Sequence, residues 1–247
     1  MSIPDLLAEA LRRDPARPLL TFYDQASNER VELSRATTAN WVAKTANMLQ
    51  DSLAATTGTT VAIDLPVHWE RAVWMLAAWE VGCLVVPGPL SGQAYDVVVV
   101  GPDSLGGDLP SADEIVALSL RPLGARFVTE LPSGVIDYNA EVLGHGDRFM
   151  PYDRPTPDTA AAVIHGEERD HATCVEAARR RAESWDPAFQ PRVLTGGLVD
   201  ASDSIEILLG ALAADGSVVL VANPQPDRLA ALRTDEQVTV VDSLQQG

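Results

Sequence analysis

The residues best suited to chemistry fall in two short polar segments. The first, His165-Gly-Glu-Glu-Arg-Asp-His171 with Cys174 after it, gathers imidazoles, carboxylates and a thiol, groups that can hold metal ions. Zinc sites favour tighter pairs such as CxxC or HExxH, and neither spacing occurs here. The segment therefore reads as a solvated turn capped by Asp170, and no metal is expected. The second, Thr195-Gly196-Gly197, follows an apolar strand and precedes an acidic cluster of Asp200, Ser202, Asp203 and Ser204. Asp203 and Glu206 have the spacing of a capping box, which is favoured over a cation site. His145, between two glycines, reads as a surface turn residue, and His68 as a helix cap or a solvent-facing side chain. No GxSxG nucleophile elbow occurs. Lys44 is the only lysine, so any lysine-dependent mechanism must use it.

The elements that position these residues follow from periodicity and breakers. A helix is predicted over Pro4–Arg13, then a hairpin of Leu19–Tyr23 and Arg30–Leu33 around the turn Asp24–Asn28. Ser34 should cap a long helix carrying Trp41, Thr45, Met48, Leu49 and Leu53. A strand at Thr60–Leu65 ends in Pro66. An apolar helix over Trp69–Val81 stops at Gly82, and strands follow at Cys83–Val86 and Val97–Val100. From Gly101 to Asp158 the chain is punctuated by proline and reads as an irregular bridge, with short pieces at Ala125–Thr129 and Asn139–Leu143. Strands are then predicted at Thr159–Ile164, Arg192–Leu194, Ser217–Val221 and Val238–Val241. Helices over His171–Ser184, Ser204–Ala214 and Asp227–Leu232 alternate with them. Trp41, Trp69, Trp74 and Trp79, at helical spacing, read as core packing or as an interface. Trp69 and Trp74 cannot both face the same way as Trp79, so in the interface reading one of them is exposed and marks a partner surface.

The chain has 247 residues, 46% hydrophobic and 21% charged, which excludes disorder as a global description. Its 35 acidic and 18 basic residues leave a net charge of −17. A surface of that sign repels phosphate backbones, so no nucleic-acid partner is expected. The N-terminus lacks the pattern of a signal peptide, and no apolar run approaches the roughly 20 residues that span a bilayer. Cys83 and Cys174 form no CxxC pair and read as reduced thiols. A cytoplasmic protein without membrane contact is expected. A protein partner or a homo-oligomer is left open.

Two parts of the chain resemble each other. Met75-Leu-Ala-Ala-Trp-Glu-Val-Gly-Cys-Leu-Val-Val-Pro87 matches Leu209-Gly-Ala-Leu-Ala-Ala-Asp-Gly-Ser-Val-Val-Leu-Val221 as helix, glycine and valine-rich strand. Each half also ends alike, in Val-Val-Gly-Pro-Asp103-Ser104-Leu105 and in Val-Val-Asp242-Ser243-Leu244. The expected fold is a three-layer α/β architecture with mostly parallel sheets flanked by helices, in two similar halves. The halves are placed at 1–105 and 158–247, joined by the bridge at 106–157. One misfit stands: Pro87 to Asp96 is too short for a parallel crossover, which needs a dozen or more residues. Either a helix is missing there or the flanking strands are not adjacent and parallel.

Arg30 to Val86 resembles the opening of the adenylate-forming superfamily of acyl-CoA synthetases, nonribosomal adenylation domains and luciferases. The resemblance rests on the strand pair, the long helix, Val61-Ala-Ile-Asp-Leu-Pro66 and Ala77-Ala-Trp-Glu-Val-Gly-Cys-Leu-Val-Val-Pro87 in order. Leu208 to Pro224 is similar to that family's leucine-rich helix, glycine and Val-Val-Leu strand. The chain also resembles a shortened, motif-poor actinobacterial group confined to this N-terminal region. The resemblance implies a Ser/Thr/Gly-rich, lysine-bearing phosphate loop after Thr159–Ile164, where this sequence has His165-Gly166-Glu167-Glu168. A carboxylate about 5 Å from a phosphate oxygen costs on the order of 3 kcal/mol at an effective dielectric of 20. The family's aromatic-histidine step is absent from Val193–Val199. Its later motifs and catalytic lysine would fall beyond Gly247. ATP and AMP are therefore not expected as cofactors, and no catalytic residue is assigned.

The expected function is that of a catalytically incomplete adenylate-forming-like domain binding a ligand or a protein. Contacts are assigned to His165, Gly166, Thr195, Gly196 and Gly197, because open α/β sheets bind at the carboxyl ends of their strands. One alternative is half of a split acyl-adenylating enzyme, completed by a separate chain with a lysine and an arginine-rich face. Another is an acidic scaffold that uses exposed tryptophans.

Overall fold

Val97, Val98, Val99 and Val100 are each at most 1% exposed, so this strand is covered on both faces, as parallel sheets require. A computed structural model describes residues 1–88, 90, 93–107, 109, 111–185, 190–196 and 201–244. It divides the chain into two compact units. One comprises Met1–Ala39, Pro66–Trp69 and His171–Gly247, the other Asn40–Leu65 and Glu70–Asp170.

The chain opens with α1 (Ile3–Arg13), the hairpin β1 (Pro18–Asp24) and β2 (Glu29–Ser34), and α2 (Arg35–Asn47), which ends in a π-helical turn over Met48–Ser52. Ser34 Oγ accepts from Thr37 N at 3.1 Å, as its capping role predicts. β3 (Thr60–Asp64), α3 (Trp69–Val81), β4 (Leu84–Pro87) and β5 (Tyr95–Val100) follow. Then come β6 (Ala112–Ala117), β7 (Val135–Asp137), α4 (Tyr138–Glu141), β8 (Ala160–Ile164) and β9 (Glu167–Asp170). The chain continues through α5 (His171–Ser184), β10 (Arg192–Thr195), α6 (Ala201–Ala213), β11 (Ser217–Ala222), α7 (Pro226–Asp235) and β12 (Val240–Val241). The proline-punctuated stretch thus supplies two strands, β6 and β7, that extend the sheet beyond β5. Its alternation was masked by Asp113 and Glu114. Among the described residues, no helix is long and apolar enough to cross a membrane.

One sheet has the order β12-β10-β11-β1-β2, the other β7-β6-β5-β3-β4-β8-β9. The orders β12-β10-β11-β1-β2 and β5-β3-β4-β8-β9 superpose term by term as a repeat, each closed by an antiparallel hairpin. The hairpins are exchanged. β1 pairs with β11 (Thr21 beside Val219), and β8 pairs with β4 (Val85 beside Ala162). The sequence halves are therefore not the sheets. β4 and β5 pair with opposite edges of β3 and are not neighbours, yet both run parallel to it, so the short connection between Pro87 and Tyr95 is a parallel crossover past β3.

Trp69, Trp74 and Trp79 are buried at 2, 0 and 0% exposure, which decides for core packing over an exposed interface at these three positions. α3 is buried along its length apart from the partly exposed Glu80, with Trp79 Nε1 donating to Ala161 O at 2.9 Å. His68 is likewise buried. Its ring meets Phe22 edge-on at 4.7 Å, and burial holds its pKa down at about 4, so the residue before α3 is a neutral buried side chain and not a solvent-facing one.

Both repeats end their helix in the same bond pattern, Cys83 N to Ala78 O (2.9 Å) and Gly216 N to Ala211 O (2.7 Å). The left-handed position falls on Gly82 (φ +92°) in one and on Asp215 (φ +58°) in the other. Gly216 is needed for space instead, since a Cβ there would lie 2.2 Å from Pro191 O. Gly216→Ala is expected to lose about 2 kcal/mol or more of stability in urea unfolding. Gly106→Ala, with nothing within 4 Å, should stay within about 0.5 kcal/mol of wild type.

Candidate ligand crevices

In the five-stranded sheet, β10 runs through α6 to β11 on one side, and β11 returns through α7 to β12 on the other. The strand order reverses between β10 and β12, so the crevice where open α/β sheets take ligands lies at their carboxyl ends. Thr195 and Gly196 stand on one side of it, and Asp242, Ser243 and Leu244 on the other. Asp242 N donates to Leu194 O at 3.0 Å. A Cβ on Gly196 would lie 3.1 Å from Leu244 Cδ1, and Leu244 packs on Leu194, Val219, Val221 and Leu232. The crevice is filled by the chain's own leucine.

An ionic network secures that filling. Arg181 on α5 donates to Asp242 through Nε (2.8 Å) and a terminal nitrogen (2.6 Å), and Trp185 Nε1 donates to the same carboxylate at 2.9 Å. Ser243 Oγ donates to Asp203 at 2.8 Å, while Arg181 also lies 3.1 Å from Asp203 and 3.6 Å from Glu206. Burial alone would raise the Asp242 carboxyl, but the bonds from Arg181 and Trp185 outweigh it and hold the pKa below the usual value. The bond to Asp242 in turn raises Arg181. One guanidinium among three carboxylates leaves two negative charges uncompensated, an environment hostile to phosphate.

The seven-stranded sheet repeats the arrangement between β3 and β5. Asp64 closes β3, and a 3-10 turn over Pro102–Gly106 follows β5. Ser104 Oγ donates to Asp64 at 3.4 Å, and Leu105 packs on the cluster of Ala62, Tyr95, Val98, Val100 and Ala117. The Asp-Ser-Leu segments after β5 and β12 thus act alike in both sheets: the leucine packs on the strand cluster, and the serine hydroxyl donates to a carboxylate, Asp64 at the end of β3 in one and Asp203 on α6 in the other.

The other predicted residues are dispersed. His165 and Gly166 form the two-residue turn between β8 and β9, with φ +53° and +81°, the backbone of a type I′ hairpin. Both are exposed, and Glu167 and Glu168 begin the edge strand β9. The phosphate loop implied by the resemblance is thus a tight hairpin here. His165 and Gly166 belong to one unit and Thr195 and Gly196 to the other, so neither unit by itself brings the two pairs together. Gly197 and Asp200, and the side chain of Ser202, lie outside the described residues. His171 is buried, its Nδ1 accepting from Ile3 N at 3.1 Å, and Cys174 and Cys83 are buried thiols. Burial raises the Cys83 thiol to about 12. Among the described residues, no group of three or more His, Cys, Asp or Glu could hold a metal ion. α6 begins at Ala201, so Asp203 and Glu206 sit within its first turns and face Arg181 instead of forming a capping box.

Lys44 is committed elsewhere: Nζ lies 2.6 Å from both His145 O and Asp147 Oδ1. Asn47 Nδ2 reaches Gly146 O and Arg148 O at 2.9 Å, so α2 clamps that loop. Arg181 had no local signature, because its partner Asp242 is 61 residues away in sequence.

Asp242→Asn is expected to cost about 1 to 2 kcal/mol at neutral pH, measured by urea unfolding. Because the folded pKa is depressed, this contribution is complete above the unfolded carboxylate value of about 4 and fades as pH falls below it. Wild type and variant should converge in acid; a gap that persists unchanged at low pH would contradict the network.

No family model matches the chain. A TIGR03089 family protein of Mycobacterium tuberculosis is 39% identical over 243 residues, covering 96% of each chain. The coronafacic acid ligase of Pectobacterium brasiliense aligns with a TM-score of 0.76 at 15% identity, over 98% of this chain and 49% of the ligase. The N-terminal domain of FACL13 from Mycobacterium tuberculosis aligns at 0.74 and 12% identity, over 98% of this chain and 62% of that one. The acyl-CoA synthetase of Brucella canis aligns at 0.74 and 16% identity, over 96% and 46%. These identities speak for fold alone: the chain has the architecture of the N-terminal region of adenylate-forming ligases and spans about half the length of the two full ligases. With its sequence kinship extending across nearly the whole of both chains, the protein belongs to the TIGR03089 family.

Proposed function

We propose that this chain is a binding module built on the adenylate-forming fold, without acyl-adenylate synthesis of its own. The observation that carries the reading is the pair of switch-point crevices, each filled by an Asp-Ser-Leu segment. A nucleotide entering between β10 and β12 would have to displace Leu244 and then meet Asp203, Glu206 and Asp242. The hairpin at His165-Gly166 supports the same reading, since a two-residue turn followed by Glu167 and Glu168 offers no cradle of N–H groups for a phosphate. Lys44, held by Asp147 and His145, has no freedom to serve as a catalytic lysine. A ligand contact is proposed at the exposed His165-Gly166 turn; contacts at Thr195 and Gly196 require a ligand that displaces Leu244, and Gly197 is proposed with them from the sequence alone. ATP, AMP and metal ions are not part of this proposal, and the compartment proposed is the cytoplasm.

A second reading is favoured by the span of the fold. A chain that covers about half of a ligase suits one part of a split acyl-adenylating enzyme, whose partner supplies a lysine and an arginine-rich face. The scaffold reading loses the surface it relied on, because Trp69, Trp74 and Trp79 are buried.

Thermal unfolding and calorimetry of the purified chain with ATP, AMP and a non-hydrolysable acyl adenylate test these readings. Binding at about 100 times the dissociation constant would add roughly 2.7 kcal/mol. A flat response is expected. Pyrophosphate exchange by the chain alone would overturn the proposal, and exchange appearing only with an added partner chain would favour the split enzyme.

A further inference from the structure

A cavity of about 510 Å³ opens at the amino edge of β1, β10 and β11, the edge opposite the filled crevices. Its lining includes Arg17, Arg192, Ser217, Asp235, Glu236 and Thr239. We propose that it binds a small dipolar molecule, with an anionic group such as a carboxylate at Arg17 and an ammonium group at Asp235. The proposal is independent of the reading above, which concerns the carboxyl edges.

The charge layout makes the argument. Arg17, Arg13 and Arg35 lie 3.3, 3.6 and 2.8 Å from the carboxylate of Asp215. Arg13 also lies 3.7 Å from Glu9, so two carboxylates balance two of these three guanidiniums and one cationic charge remains, in a chain whose net charge is −17. Arg35 is buried and also donates to Ala10 O and Asp215 O, so it is structural. Arg17, which lines the cavity, keeps 35% of its side-chain surface open and meets Asp215 through one terminal nitrogen, which leaves donors for an incoming anion. Gln190 Nε2, donating to Asp215 at 2.7 Å, further fixes that carboxylate in place.

The remaining charges divide differently. Glu236 is already matched: it accepts from Tyr23 and Arg30 and pairs with Arg192. Arg192 in turn spends its donors on Glu236 O (2.6 Å), Ser217 Oγ (3.1 Å) and Thr21 Oγ1 (3.2 Å). That leaves Asp235, exposed at the carboxyl end of α7, where the helix's last carbonyls add partial negative charge. Arg17 precedes β1 and Asp235 precedes β12, and these strands are three places apart in the sheet, roughly 14 Å. Side chains reaching inward shorten that span to the length of a small molecule charged at both ends. Ser217 and Thr239 supply hydroxyls between, and Pro18 and Pro191 give the cavity an apolar side for a short hydrocarbon.

The test titrates the whole chain with ω-amino acids from glycine to aminooctanoate, using calorimetry and thermal unfolding. The carboxylate and the alkylammonium ion of each length are run in parallel. At least one amino acid is expected to bind about tenfold more tightly than both of its singly charged counterparts. R17Q should weaken that amino acid and the matching carboxylate about tenfold, while D235N should weaken the amino acid and leave the carboxylate unchanged. Unliganded melting curves check both folds, and D235N, on an exposed residue, decides the matter should R17Q melt early. A series in which no amino acid outbinds its counterparts, or binding untouched by D235N, would overturn the proposal. The nucleotide titrations have no bearing on either result.

Discussion

Parallel strands must be covered on both faces, and most features of this protein descend from that requirement. Strands such as Val97–Val100 and Val218–Val221 have no solvent side, so they read as unbroken apolar runs, and the helices between them must be apolar as well. Trp74 and Trp79 on α3, and Ile205, Leu208 and Leu209 on α6, are buried for this reason. Covering both faces also forces the connections to pass to either side of a central strand, β3 in one sheet and β10 in the other. Each such reversal leaves a gap at the strand ends, and each gap is closed by a leucine whose neighbouring serine donates to a carboxylate; Asp242, beside Leu244, is held by Arg181 as well.

Arginine is the second organising element. The chain is strongly acidic, yet its interior ion pairs are arginine-centred and join elements distant in sequence: Arg35 with Asp215, Arg181 with Asp242, Arg192 with Glu236. A planar guanidinium can serve a carboxylate and several carbonyls or hydroxyls at once, which a lysine cannot. Glu236 illustrates the balance. Burial would raise its carboxyl, but donors from Tyr23, Arg192 and Arg30 outweigh that and hold it low, so the pair stays ionised.

The fold is shared with ligases, and fold alone does not carry a site. A fold can persist when its site has changed, because burial of strands and helices asks only for apolar side chains of suitable volume. The residues after β8 have a structural explanation of their own. His165 and Gly166 accept positive φ and make the shortest hairpin turn available, which places acids on a sheet edge. Charged edge strands resist unwanted pairing, a structural gain unconnected with phosphate binding.

Much of the fold was legible in the sequence. The helix-glycine-strand repeat, the opening hairpin and the valine runs are set by side-chain period and by glycine, which act over a few residues. Lys44's isolation and the acids after His165 could be read just as directly. β6 was hidden because its outer residues are charged, and His68 because a lone imidazole carries no local sign of burial. The exchange of hairpins between sheets, the filling of the crevices by Leu105 and Leu244, and the meeting of Arg181 with Asp242 were decided by tertiary structure alone. Each depends on which strand edge or cavity happens to face a segment after folding, and no spacing along the chain encodes that distance.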